Sequence, residues 1–363
     1  MPSATFDDED FRFMKRALHL AQKGLWTTTP NPRVGCVITR DGKILGEGYH
    51  RMAGGPHAEI EALRQIEDAK GATVYVTLEP CSHYGRTPPC ADALIQAGVQ
   101  KVIAAMVDPN PLVAGQGLAK LQAAGIEAVA GLLEEKAQAL NPGYINRMIA
   151  KRPWVCLKLG VSLDGRVALK NGASRWITND KARLDVQRLR ARSCAVLTGI
   201  GTVLADDCQL SVRQLKTTRQ PWRIVLDPSL RTPPHAKVLS EKTMLFCKVG
   251  QLKPLPGAEV IEVPEKNGQL ALPVVLEILA QRGINELLLE CGPKLAGAFL
   301  TEGLVDQLIL YYAPKLLGDT AKAMLELPEL TSLQEAWQFQ LEEIRRLGDN
   351  VRMILRKKPC LPD

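Results

Sequence analysis

The chain has 363 residues, 46% of them apolar and 23% charged, with a net charge of +7; that is length for two or three domains with real cores, in an ordinary globular composition. No run of about 18 apolar residues occurs, so no transmembrane helix is expected. Nine cysteines, an odd number in a chain this long, argue against a disulfide framework. The acidic start at residues 6–10 lacks a signal peptide's basic and apolar regions, so a cytoplasmic location is expected.

In chain order, residues 8–23 alternate at helical spacing, with Phe11, Met14, Leu18 and Ala21 on one face and Gly24 as the stop. Residues 34–39 and 44–49 flank Asp41-Gly42, a hairpin signal. A helix is expected over 58–68, a strand over 72–78, a helix over 91–97, a strand over 101–106, a helix over 118–124, a short strand over 128–131 and a further helix over 133–149. Strands alternating with helices predict a layered α/β domain. Lys151-Arg-Pro-Trp154 breaks the pattern, so a first domain is expected over 1–150 and a second over 151–363. The second domain repeats the alternation. Strands are expected over 155–162, 195–198, 223–226, 244–247 and 287–290, helices over 182–191, 276–281 and 295–300, and closing strands over 305–313 and 351–356. Cys36, Cys156, Cys194, Cys247 and Cys291 lie in or beside apolar runs and are expected to be buried, reduced thiols.

The first domain carries the sharpest chemical pattern: His57-Ala-Glu59, then Pro80-Cys81, then Cys90. One imidazole and two thiols suit tetrahedral Zn²⁺ with a corner left for water. Glu59 then stands where zinc deaminases keep their proton-handling carboxylate. Such a domain would hydrolyse an amine from a nucleobase-like ring. Cys90 opens a helical pattern, and a thiol there is expected to have a lowered pKa. Each residue alone has a plainer reading, a solvated helix glutamate or a buried thiol; the ordered set with both prolines favours the metal. Eight residues separate the cysteines, where general deaminases have two. Within that insert, His83 is either a rival ligand or, with Arg86, a contact to an anionic substrate.

Charge is uneven. Residues 1–150 hold 15 basic and 16 acidic residues, a net of −1, and the remaining 31 basic and 23 acidic residues give +8. A domain acting on a polynucleotide should carry its own basic footprint, and the first does not. The surplus in the second suits a small phosphorylated ligand, or is a solvated basic surface. Gly199-Ile-Gly201-Thr-Val-Leu204 follows a strand but lacks the third glycine and the later acid of a dinucleotide fingerprint. Glu290-Cys-Gly292-Pro-Lys-Leu-Ala-Gly297 also joins strand to helix, offering backbone N–H groups to a phosphate. Either turn alone is more often an ordinary connection; two in one basic domain bring dinucleotide binding level with that plainer reading.

Over essentially its whole length the chain resembles the bifunctional riboflavin-biosynthesis deaminase/reductase family. The segments are Thr29-Pro-Asn-Pro-Arg-Val-Gly35, His57-Ala-Glu59, Glu79-Pro-Cys-Ser-His-Tyr-Gly-Arg-Thr-Pro-Pro-Cys90, Asp108-Pro-Asn-Pro111, Lys158-Leu-Gly-Val-Ser-Leu-Asp-Gly165, Ser174-Arg-Trp-Ile-Thr178, Thr202-Val-Leu-Ala-Asp-Asp207 and Glu290-Cys-Gly-Pro293. The resemblance implies an N-terminal cytidine-deaminase-like three-layer α/β/α domain and a C-terminal dihydrofolate-reductase-like α/β domain. It implies zinc-dependent deamination of 2,5-diamino-6-ribosylamino-4(3H)-pyrimidinone 5′-phosphate, then NADPH-dependent reduction of the ribosyl group to ribityl. The partners it implies are that small phosphorylated pyrimidine and further copies of the chain, with neither nucleic acid nor membrane.

By position, His57, Cys81 and Cys90 would hold zinc, with Glu59 as acid/base. Asn31, His83, Arg86 and Asp108 would line the pyrimidine and phosphate site. Ser174, Arg190, Leu210, Arg213 and Glu290 would contact the reductase substrate, the two arginines suiting a dianionic phosphate. Gly160, Trp176, Thr202, Asp206 and the turn of Gly292, Pro293, Lys294, Leu295, Ala296, Gly297 and Ala298 would contact NADPH. Lys158 and Asp164 would polarise the opened sugar. Apart from the resemblance, Arg190 reads as a helix-surface ion pair and Trp176 as a core residue. Cys208 stands where the family usually has proline, so the following loop is expected to be looser. Pro228 stands where a small hydroxyl residue often contacts the cofactor and offers neither N–H nor hydroxyl. Two rival functions stay open: a nucleic-acid deaminase whose second half is a binding module, and a zinc-stabilised scaffold without activity.

Overall fold

The computed structural model describes residues 5–84 and 88–357. The chain divides into two compact units, Met1–Lys151 and Arg152–Asp363. In unit 1 the elements run α1 (Asp8–Gln22), β1 (Gly35–Arg40), β2 (Lys43–Tyr49), α2 (Ala58–Leu63), β3 (Thr73–Val76), α3 (Cys90–Gln96), β4 (Lys101–Ala104), α4 (Gln116–Ala123), β5 (Glu127–Ala130), α5 (Glu134–Leu140) and α6 (Pro142–Ala150). The sheet order is β2-β1-β3-β4-β5, antiparallel through β2, β1 and β3 and parallel from β3 to β5.

Strand alternation sorts this core into two faces. Cys36, Ile38, Val74, Val76, Val102 and Ala104 pack with Ala58, Ala62, Ala91, Leu94 and Leu121 from α2, α3 and α4. Val37, Tyr75 and Ile103 turn the other way, onto Phe13, Met14, Ala17 and Leu18 of α1 and Ala137 of α5. Unit 1 is therefore three layers with the sheet in the middle. Asp7 caps α1 through a reciprocal bond with Asp10. The helix expected over 133–149 is two. Proline at 142 starts α6, and Asn141, at φ −126°, leaves the helical path to bond both the N–H and the carbonyl of Arg33.

Unit 2 runs β6 (Trp154–Ser162), β7 (Arg166–Ala168), α7 (Asp180–Arg192), β8 (Ala195–Gly199), α8 (Ile200–Asp206), β9 (Trp222–Leu226), β10 (Thr243–Lys248), β11 (Glu259–Val263), β12 (Glu265–Lys266), β13 (Gln269–Leu270), α9 (Leu272–Gln281), β14 (Glu286–Leu289), α10 (Pro293–Thr301), β15 (Gln307–Ala313), β16 (Lys322–Ala323), β17 (Phe339–Leu347) and β18 (Asn350–Lys357). The main sheet has the order β11-β10-β9-β8-β14-β6-β15-β18-β17, parallel as far as β15 and antiparallel beyond it. One face is a large core with α9 and α10 (Val155, Leu157, Leu197, Phe246, Leu276, Leu289, Phe299). The other packs against α7 and α8 through two smaller clusters.

From β8 the chain steps outward through β9, β10 and β11, then returns with β14 between β8 and β6. That reversal opens a crevice at the carboxyl ends of β8 and β14, where ligands of open α/β sheets bind. The segment 200–206, read from sequence as a glycine turn, is the short helix α8. Edge strands β11 and β17 have no counterpart among the sequence expectations. Cys36, Cys194 and Cys247 are buried as expected, whereas Cys156 and Cys291 are half-buried; the eight described cysteines are free thiols. No helix among the described residues is long and apolar enough to cross a membrane.

Candidate functional site: a metal cluster and a nucleotide cleft

In unit 1, His57 is the N-cap of α2, Cys81 follows the end of β3, and Cys90 begins α3. Their ligand atoms lie within 4.8 Å of one another. His57 Nδ1 faces both sulfurs, at 3.2 Å from Cys90 Sγ and 3.5 Å from Cys81 Sγ. One imidazole and two thiols converging on one point are a borderline-soft donor set that fits zinc. His83 is exposed and stands outside this cluster, which removes it as a ligand. The lowered thiol pKa falls on Cys81, not on Cys90 as expected. The Cys90 thiol and the Cys90 N–H both point at Cys81, holding it down and pushing Cys90 up.

Glu59 sits one residue into α2, only 3% exposed. Burial, then the neighbouring Cys81, pushes its carboxyl up to about 7. α2 can lie this close to the sheet because β2 carries glycine: a Cβ on Gly48 would stand 2.5 Å from the Ala58 carbonyl. Asn31 joins the cluster through His50, whose Nε2 it meets at 3.1 Å. The His50 ring stands edge-on to His57 at 5.6 Å, and its Nδ1 bonds the Pro56 carbonyl at 2.9 Å. Burial lowers the pKa of His50, which suits a neutral ring donating from Nδ1 and accepting from Asn31. Asp108 accepts from Tyr144 Oη at 3.1 Å. Burial raises its carboxyl, while the positive influence of His83 opposes that rise, so the two residues share one locality. Arg86 lies outside the described residues.

Sequence reasoning missed Glu79. Its buried carboxylate accepts from the N–H groups of Asp108 (3.0 Å), Gly115 (2.9 Å), Gly117 (2.7 Å) and Leu118 (3.2 Å). A side chain at Gly117 would collide with the Pro80 carbonyl. Glu79 thus ties the Asp108 loop to the strand end that delivers Cys81. A glutamate two residues before a ligand cysteine was the available signal.

In unit 2 a cleft of about 1940 Å³ runs along the strand ends. Gly160, Ser174, Trp176, Arg190, Thr202, Asp206, Leu210, Arg213, Glu290, Gly292, Pro293, Lys294, Leu295, Gly297, Ala298 and Lys158 all line it. Ala296 does not; it is buried in the α10 face of the core. Nor does Asp164, whose carboxylate accepts from Ser162 Oγ and from the Leu317 and Gly318 N–H groups. These bonds hold its pKa low and fix a loop, which corrects its expected role as a polariser.

The plain readings of Arg190 and Trp176 are both reversed. Arg190 is buried and grips Glu290 with two bonds, 2.6 and 3.0 Å, and bonds the Ser211 carbonyl at 3.1 Å. Trp176 is 61% exposed, with the Arg183 guanidinium 4.4 Å from its ring centroid. Because Arg190 is already neutralised, Arg213 is the more open of the two arginines. Burial works to raise the Glu290 carboxyl, but Arg190 and Lys158 outweigh it and bring it down to about 2. Lys158 Nζ stands 3.7 Å from Glu290, and burial lowers its pKa.

The loop after Cys208 is pinned rather than loosened. Leu210 is buried at φ 54°. Gln220 brackets Val212 through its N–H (2.8 Å) and carbonyl (3.0 Å), and Gln187 accepts from the Arg213 N–H at 2.9 Å. Those two glutamines carried no sequence signal.

The comparisons agree with this division. Residues 7–106 match the model of the cytidine and deoxycytidylate deaminase zinc-binding region, and residues 153–353 match the RibD C-terminal domain. The riboflavin biosynthesis protein RibD of Escherichia coli (strain K12) is 50% identical, covering 96% of this chain and 99% of its own. That of Haemophilus influenzae is 48% identical over 97% and 99%. The solved structure of Acinetobacter baumannii RibD superposes with a TM-score of 0.91 at 46% identity, covering 97% of this chain and 99% of that one. A diaminohydroxyphosphoribosylaminopyrimidine deaminase/5-amino-6-(5-phosphoribosylamino)uracil reductase from Thermotoga maritima gives 0.87 at 35%, covering 96% and 99%. Two domain matches, near-complete coverage and one shared fold place the chain in the bifunctional riboflavin-biosynthesis deaminase/reductase family.

Proposed function

We propose that unit 1 deaminates 2,5-diamino-6-ribosylamino-4(3H)-pyrimidinone 5′-phosphate and that unit 2 then reduces the ribosyl group of the product to ribityl with NADPH. The observation that carries the first step is the convergence of His57, Cys81 and Cys90 beside a buried Glu59. Those three residues would hold zinc, which would supply a Lewis acid for activating water near neutral pH. Glu59 takes one proton from the attacking water and delivers it to the ring nitrogen, then moves the second proton, from the newly added hydroxyl, to the departing amine, so that the carbonyl forms and ammonia leaves rather than amide ion. Asn31, fixed through His50, orients the pyrimidine, and Asp108 and His83 complete that wall.

In unit 2, the residues lining the cleft would hold NADPH, which would supply the hydride for reduction of the opened sugar. Lys158, drawn toward Glu290, gives the accompanying proton; Glu290 keeps Lys158 and Arg190 in place, and Arg213 takes the substrate phosphate. The turn from Gly292 to Ala298, apart from the inward-facing Ala296, would hold the cofactor at the start of α10 together with Thr202 and Asp206, which line the same cleft. Free thiols throughout the described chain suit a reducing, cytoplasmic compartment, and the family likeness supports a homo-oligomer.

Glu59→Gln tests the separation of roles. Ammonia release from the diaminopyrimidine nucleotide should fall by about 10²–10⁴-fold, with NADPH oxidation by pre-deaminated substrate unchanged. Loss of both activities in a folded protein would refute two separate sites. Unchanged ammonia release in the variant would remove Glu59 from the chemistry, and no release from the unaltered, zinc-loaded protein would favour an inactive zinc scaffold.

A further inference from the structure

The cleft of unit 2 continues outward past the β8/β14 crevice, along the carboxyl ends of the outer strands, and there its lining changes character. Ser229 and Arg231 come from the turn after β9, Lys248 from the end of β10, and Lys266 from the β12–β13 hairpin. Lining carboxylates among the described residues come from α7, α8 and its cap, the end of β14, the end of α10 and Glu326. None comes from this outer arm. Glu265 of the hairpin is already engaged, by Lys248 Nζ at 2.5 Å, which fastens the hairpin to the sheet. Arg231 and Lys266 form no ion pair among the described residues.

The turn that offers Arg231 is built rather than loose. Asp227 is fully buried and accepts from both the N–H and the hydroxyl of Thr232 at 2.7 Å. Leu230 holds φ at 50°, and the Lys248 N–H donates to the Pro228 carbonyl at 3.2 Å. A site for an unphosphorylated ribose presents a carboxylate to its hydroxyls. This arm presents cations and a hydroxyl instead, the complement of a phosphate monoester on that ribose, and a guanidinium meets such a group with two parallel bonds.

We propose that Arg231, with the Ser229 hydroxyl and Lys266, binds the 2′-phosphate of NADPH and sets the preference for NADPH over NADH. This rests on the reductase reading of unit 2. Calorimetric titration of the full chain with 2′,5′-ADP and with 5′-ADP tests it without turnover. The unaltered protein should bind 2′,5′-ADP the more tightly. Arg231→Ala should weaken 2′,5′-ADP by about ten- to a hundredfold and leave 5′-ADP unchanged, while Arg231→Lys, keeping a point charge, should fall between. Arg231 is exposed, so the melting temperature should hold. Unchanged 2′,5′-ADP affinity in Arg231→Ala, or an equal fall for both ligands, would overturn the assignment. Tight NADPH binding with no preference for 2′,5′-ADP in the unaltered protein would overturn it while sparing the reductase reading. Failure to bind either NADPH or NADH would overturn both.

Discussion

At the scale of single residues, charge placement decides most of the chemistry. Glu290 is a buried carboxylate kept ionised by Arg190 and Lys158, with a folded pKa of about 2 against an ordinary 4.5. A lowered carboxylate pKa stabilises the fold above the unfolded value and loses that contribution as pH falls from about 4.5 to about 2. Arg190→Ala removes the larger partner and leaves the carboxylate facing its burial with Lys158 alone. The stability of unit 2 at neutral pH should fall by about 3–5 kcal/mol, and the loss between pH 4.5 and 2 should shrink. Urea unfolding across that pH range measures both; an unchanged midpoint would show that the pair contributes nothing net. Residue types with donor chemistry were readable in the sequence: His57, Cys81, Cys90 and Glu59 converge as their spacing implied. Burial was not. Arg190 lies inside and Trp176 outside, the reverse of what each residue type favours, because Glu290 compensates the buried guanidinium and Arg183 covers the exposed indole.

At the scale of elements, strong apolar periodicity made most helices and inner strands legible. The misses share physical causes. β17 carries charges along its length and is exposed at the sheet edge, so no alternation marks it. α5 and α6 share an apolar face, and only the backbone demands of Asn141 and Pro142 divide them. Glu79 organises an element that has no regular structure. Its four accepted bonds shape the loop from Asp108 to the start of α4. Glu79→Gln turns an amide donor toward backbone N–H groups and leaves at least one unpaired, at about 1–3 kcal/mol. The KM of the deaminase for its nucleotide should therefore rise, since Asp108 rides on that loop, while reductase kinetics on the same chain stay the same. Steady-state assays of both half-reactions check this. Equal losses in the two would mean general destabilisation rather than a displaced loop.

At the scale of the whole molecule, each unit places its chemistry where its sheet geometry allows. In unit 1 the N-cap of α2, the end of β3 and the start of α3 meet on one face of the sheet. In unit 2 the reversal of strand order between β8 and β14 opens the cleft, so a poor dinucleotide fingerprint is compatible with the nucleotide site proposed there. The uneven charge noted in the sequence has a local counterpart in the basic outer arm of that cleft. The central claim is that three protein ligands leave one zinc coordination position for water beside Glu59. X-ray absorption at the zinc edge of the purified full chain tests it most directly. One zinc per chain with one nitrogen, two sulfurs and one light oxygen ligand is the result expected; a fourth protein nitrogen or sulfur in the shell would contradict it.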